Sequence, residues 1–291
     1  MKDDTDSRFF VYNLFIKRKG AAAFFPLHLH IKSWVSTSRK QYRMSDTAGI
    51  IADIAQEANR IIDAANAEGI PLRLLGGLAI YFQCPGATSV ERLQRKYNDL
   101  DFAALSKWGT KTRVLFDKLG YRGNKTFNAL HGHQRLLFWD EQHERQIDIF
   151  IDRMQMCHII DFRSRLQLDQ RTLSLPDLLL TKLQIVEINE KDIIDVIALF
   201  YDHDITSDEH GKHADYIAGL TANDWGLQKT LEINLKKTQA FTTEHDFPTY
   251  VPERIEALLA AMVARPKSLA WKARAIVGER VRWYELPEEP R

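Results

Sequence analysis

The sequence predicts an α/β (α+β) fold, and three features of its pattern predict it. Residues 97–103 and 146–152 alternate apolar and acidic side chains with the period of a strand. An apolar stretch over residues 70–75 runs into helix-like sequence through the pair Gly76-Gly77. After Pro176 the apolar residues recur at helical spacing to the end of the chain. Strands mixed with helices, then helices alone, divide the chain into a core over residues 44–175 and a helical part over 176–291. A chain of 291 residues has length enough for two modest domains.

Hydrophobic residues make up 45% and charged ones 27%, the balance of an ordinary globular protein. A net charge of +1 supplies no field for a polyanion, so nucleic-acid binding would need a local basic patch. Cys84 and Cys157 stand far apart and outside any CxxC spacing, which excludes a disulfide framework and a structural zinc site. Buried, reduced thiols in a cytoplasmic protein are expected instead. No apolar run reaches the ~18 residues of a membrane span.

The first 43 residues read as an appendage. They hold nine Lys or Arg against three Asp, and their aromatics follow neither a strand nor a helix period. Three readings stand: a basic disordered extension, a true start at Met44, or an organellar targeting segment; Lys17, Arg18 and Lys19 interrupt the apolar stretch a secretory signal requires. After Met44 the residues Ser45, Asp46 and Thr47 offer helix caps. Ile50, Ile51, Ile54, Ala55, Ala58, Ile61, Ile62 and Ala65 then recur at helical spacing, and Gly69 closes that helix.

The residues that carry chemistry begin at the glycine pair. Paired glycines at a strand-to-helix turn let backbone approach a ligand and leave helix N–H groups free for phosphate; a plain tight turn uses the same residues. On a strand over residues 97–103, Asp99 and Asp101 share one face while Leu100 and Phe102 share the other. Two carboxylates about 6–7 Å apart at Cα repel in a dry site, and a divalent cation relieves them. A solvated edge strand is the bland alternative. On the second acidic strand Asp148 sits mid-strand among isoleucines, a costly place for an unpartnered acid, whereas Asp152 can simply end the strand. Three carboxylates from two strands suffice for two-metal phosphoryl chemistry.

These residues resemble the DNA polymerase β-like nucleotidyltransferase superfamily. The likeness covers roughly residues 50–200, and its specific part is the glycine pair with Asp99-Leu100-Asp101. Within the superfamily, residues 95–101 look most like the AbiE-type toxins and related uncharacterised bacterial nucleotidyltransferases, which carry an Arg four residues before the first Asp. Lys182 and Asp192 or Asp195 match a Lys on a later helix and an Asp beyond it. Two departures stand out: Gly77 replaces a common serine, and Tyr97 replaces a small hydroxyl residue.

The resemblance implies a mixed sheet flanked by helices and a helical C-terminal domain. It implies Mg²⁺ or Mn²⁺ on Asp99, Asp101 and Asp148, and a nucleoside triphosphate on Gly76-Gly77. It further implies transfer of a nucleoside monophosphate to a hydroxyl of an RNA 3′ end such as tRNA, of a protein or of a small molecule, with Asp148 helping to deprotonate it. A cognate antitoxin is an implied partner. Lys182 and Arg95 would each contact phosphate; a snorkelling lysine and an arginine bracing the aspartates are the alternatives. A silent nucleotide-binding or partner-binding module on the same fold is the rival reading.

The remaining elements are simpler. A helix over 110–120 is followed by a predicted hairpin, 127–130 with 135–139, turning at His131-Gly132-His133. Helices are predicted over 177–188, 190–202, 213–220, 224–238 and 252–284. The acid- and His-rich stretch over 202–213 reads as a solvated connection. In the last helix Arg265, Lys267, Lys272, Arg274, Arg280 and Arg282 interleave with Trp271, Trp283 and Tyr284. Such a helix grips RNA or docks its aromatics on the core; the sequence allows both.

Overall fold

The computed structural model describes residues 49–286, which belong to one compact unit. The extension over 1–43 and the helix caps expected at Ser45, Asp46 and Thr47 lie outside the described residues. Helix α1 (Ile54–Ala67) starts later than its periodicity suggested, because Asp53 caps it by accepting the N–H of Gln56. Its buried face carries Ala58, Ile61, Ile62 and Ala65, the stripe expected from the spacing.

Five strands form a mixed sheet. They are β1 (Arg73–Leu75), β2 (Leu100–Ala104), β3 (Arg122–Gly123), β4 (Arg135–Asp140) and β5 (Arg145–Ile151), in the spatial order β1-β2-β5-β4-β3. Only the β2–β5 pair is parallel. Helix α2 (Gly76–Gln83) follows β1 directly, and α3 (Gly109–Lys118) joins β2 to β3. Phe116 of α3 packs on Phe102 and Phe138, with ring centroids 6.0 and 4.9 Å away. The rear of the sheet, with Phe102, Leu136, Phe138, Ile147 and Ile149, is thereby sealed. Each such side chain contributes about 1.5–3 kcal/mol by burial.

The hairpin expected over 127–139 is not formed. Residues Lys125–His131 make helix α4, capped by Asn124, which accepts the N–H of Phe127. The Asn-x-x-Phe start is a cap signal, and it outweighs the short apolar run. The actual hairpin is β4–β5, turning through residues 141–144, where the Asp140 carboxylate accepts the N–H groups of Gln142 and His143. Helix α4 then closes the edge of β4: the Asn128 amide donates to the Leu137 carbonyl and accepts its N–H, at 3.0 and 2.7 Å.

A small antiparallel pair, β6 (Arg153–Gln155) and β7 (Ile159–Asp161), leads to the helical half. There α5 (Leu175–Leu183) and α6 (Glu190–Asp202) pack on α2, while α7 (Ala214–Thr221), α8 (Trp225–Glu244) and α9 (Tyr250–Ala264) complete the layer. Leu178, Leu179, Val196 and Leu199 join the same apolar core as Leu74 and Leu78. The long helix expected over 252–284 is broken: α9 stops before Arg265-Pro266, and α10 (Leu269–Val277) follows. Proline forces its predecessor out of helical backbone, and Arg265 is extended accordingly (φ −65°, ψ 126°). Helix α10 itself has no buried residue. The tail behind it docks, the Trp283 indole N–H donating to Thr230 Oγ1 at 3.0 Å.

The stretch over 202–213 is less solvated than expected. Lys212 is fully buried, its ammonium donating to the carbonyls of Leu199 and His203 at the end of α6. Burial, then the charge of Arg254, pushes it down to about 7. Both thiols, Cys84 and Cys157, are free and buried. Among the described residues no helix is long and apolar enough to cross a membrane.

Candidate active site

The strand pairing decides which carboxylates meet. β2 and β5 run parallel with Asp101 opposite Asp148, so both acids leave the same face of the sheet. Behind them Leu100, Phe102, Ile147 and Ile149 are wholly buried, which holds the register, because a slip by one residue would turn these apolar side chains out and set the acids in the apolar core. Asp99 lies just before β2, in the irregular stretch over 94–99, and is more exposed. Asp152 faces elsewhere: it ends β5 with φ 63°, and its carboxylate accepts the N–H of Ser106 at 2.8 Å.

The glycine turn is built against this pair. Gly76 has φ 73°, and a Cβ there would overlap Asp101 Oδ2. Only glycine suits both the backbone and the approach. At Gly77 a Cβ would collide with the Arg95 guanidinium, so any side chain at 77 displaces that arginine. Gly76 and Gly77 thus form the first turn of α2, between Asp101 on one side and Arg95 on the other.

The acids differ in how they are satisfied. Burial, then the charge of Asp148, pushes Asp101 up to about 7. The same two causes, in that order, raise Asp99, while Lys191 and Arg95 pull it the other way. Neither carboxylate has a hydrogen-bond partner among the described residues that offsets this. Asp148, by contrast, is fully engaged. Its Oδ1 accepts from Arg135 Nε at 2.6 Å and its Oδ2 from Gln146 Nε2 at 2.7 Å. Arg135 and Gln146 carry no signal in the sequence; both are strand neighbours on the acidic face, visible only once β4 and β5 are registered.

Among the described residues no three His, Cys, Asp or Glu side chains converge as a ready-made cation cage. Mg²⁺ is commonly held by one or two carboxylates plus substrate phosphate oxygens, and Asp99 with Asp101 fit that donor set. Asp148 does not fit it equally, because a guanidinium already occupies it.

Arg95 and Lys182 enter a second ionic cluster. Arg95 grips Asp195 with two hydrogen bonds, 2.8 and 2.7 Å, and stacks its guanidinium 4.4 Å from the Tyr97 ring. Lys182 donates to Asp192 at 2.8 Å and lies 3.0 Å from Asp195. Burial disfavours the ammonium, but Asp195 and Asp192 outweigh it and hold Lys182 above the ordinary lysine range. The spacing of Asp192 and Asp195 on α6 puts both on one helical face toward α5. Tyr97 therefore serves as the platform for Arg95.

Beyond Asp148 the acidic face continues into a cavity of about 520 Å³ at the edge of the sheet. Leu137 and Trp139 of β4, Gln146 of β5, and Arg122 and Lys125 line it. Leu137 is the register neighbour of Asp148, so the cavity and the carboxylates share one surface. Trp139 presents a partly exposed ring there. His131 and His133 lie outside this lining. Set against protein-family models, curated proteins and solved structures, the chain matches none.

Proposed function

We propose that the chain is a metal-dependent nucleotidyltransferase of the DNA polymerase β-like type, moving a nucleoside monophosphate from a triphosphate to a hydroxyl. The observation that carries this reading is the register of Asp101 with Asp148 beside a glycine turn packed against Asp101. Gly76 and Gly77 receive the triphosphate on backbone N–H groups at the start of α2. Asp99 and Asp101 would hold the cation. A bound Mg²⁺ or Mn²⁺ would neutralise the developing charge on the phosphate oxygens.

In-line displacement sets the direction of travel. Across the sheet the order is glycine turn, Asp101, Asp148, then the cavity. Pyrophosphate leaves on the glycine side, and the acceptor hydroxyl enters from the cavity. The hydroxyl oxygen bonds to the α-phosphorus as the bond to the bridging β-phosphate oxygen breaks. The hydroxyl proton passes to a carboxylate or to water. RNA ends, protein side chains and small molecules all offer such a hydroxyl.

One observation favours a second reading, a nucleotide-binding module without turnover. Arg95 and Lys182, the cations expected on phosphate, are spent on Asp195 and Asp192. Thermal unfolding with each nucleoside triphosphate, with and without Mg²⁺, tests the site, and acceptor screening separates the readings. A Mg²⁺-dependent rise in melting temperature, lost in Asp99→Asn/Asp101→Asn, is expected. No rise with any triphosphate argues against the site. Binding followed by no release of pyrophosphate with any acceptor makes the module the better account.

A further inference from the structure

Resting on that reading of the site, we infer that Arg135 stands where a second cation would otherwise sit, so that this site takes one divalent ion and not two. In a two-metal centre, with ions about 3.5–4 Å apart, the third carboxylate must present a free oxygen to one of them. Both Asp148 oxygens are instead occupied, by Arg135 and Gln146, at hydrogen-bonding distances of 2.6 and 2.7 Å.

The guanidinium is not a loose surface cation. It belongs to β4, opposite Phe150 in the register, and lies 5.0 Å from that ring. Its side chain is largely buried, and that of Asp148 almost wholly. A charge-assisted pair in so little solvent is strong and short. A cation approaching Asp148 would meet an arginine already there. The charges agree: three carboxylates are balanced by one guanidinium and one divalent ion.

Arg135 opens β4, the strand between β5 and the cavity-lining β3, and its guanidinium rests on Asp148 rather than in the cavity lining. It therefore supplies, as a fixed group on Asp148, the positive charge that a second ion would bring there. Asp148 acts as its positioning residue.

Electron paramagnetic resonance of bound Mn²⁺ tests this on the full chain with a non-hydrolysable triphosphate. The wild type should show the spectrum of isolated ions, one per chain. Arg135→Ala and Arg135→Gln should show a spin-coupled pair, with affinity for a second Mn²⁺ raised at least roughly tenfold. Arg135→Lys, keeping the charge, should stay at one ion. A coupled pair in the wild type overturns the inference, as does a single ion in both uncharged variants. If the uncharged variants fail to fold, the wild-type and Arg135→Lys spectra still decide it. No bound Mn²⁺ in any protein sinks the metal site itself and this inference with it, whereas the other overturning results leave the site standing.

Discussion

Two groups of charges flank the glycine turn, and they are built on opposite terms. On the Arg95 side every charge has a partner: Arg95 with Asp195, Lys182 with Asp192 and Asp195. On the Asp101 side two carboxylates stand without one among the described residues, and burial and Asp148 push Asp101 up to about 7. Buried charge left unpaired costs stability, and a protein keeps it where the missing partner arrives from outside. The paired cluster braces the turn; the unpaired one is where the proposed function places a ligand.

Breaking the paired side should have the largest effect. Asp195→Ala leaves Arg95 and Lys182 short of their shared carboxylate and should cost about 3–5 kcal/mol, read by calorimetry or by denaturant unfolding. A loss below about 1 kcal/mol would place the cluster with ordinary surface pairs. Next comes the turn between the two. Gly76→Ala meets a backbone at φ 73° and the Asp101 carboxylate together, and should cost roughly 3 kcal/mol. An alanine variant as stable as wild type would mean that the turn relaxes freely.

The smallest change sharpens the comparison by its sign. Asp101 is raised in the folded state above its ordinary 3.8. Below roughly pH 4 folded and unfolded chains both hold the proton, so the group contributes nothing. Between there and its folded value the unfolded chain releases its proton first, and stability falls as pH rises. Above about 7 the full cost persists. Asp101→Asn should therefore gain on the order of 2 kcal/mol at pH 8, with the gain fading to nothing near pH 4. Saturating Mg²⁺ should lift the wild type at pH 8 and leave the variant unmoved. A variant less stable than wild type at pH 8 would show Asp101 to be a structural acid.

Much of the frame was legible because it depends on local pattern. The alternation around Asp148 fixes its face whatever strand it pairs with, and Asn189 and Asp224 cap α6 and α8 where the helical spacing begins. What was lost depends on partners distant in sequence. Nothing near Arg135 says that it will answer Asp148, thirteen residues on, across a hairpin. The short run Phe127–Leu130 reads as strand or helix equally until Asn124 is credited as a cap. The break at Pro266 was visible, and the apolar and aromatic residues beyond it masked it.

The amide of Asn128 has a consequence beyond the site. A sheet that ends on a strand as short as β3 leaves most of β4 open, and an open row of N–H and C=O groups invites another chain to pair there. Asn128 answers both groups of Leu137 with one side chain and lays α4 along that border. Among the described residues both groups of Leu137 are thereby taken, so a neighbouring chain meets a helix rather than an open strand at that point of the border. Asn128→Ala would reopen that border, and its first symptom would be turbidity on standing rather than a lost activity.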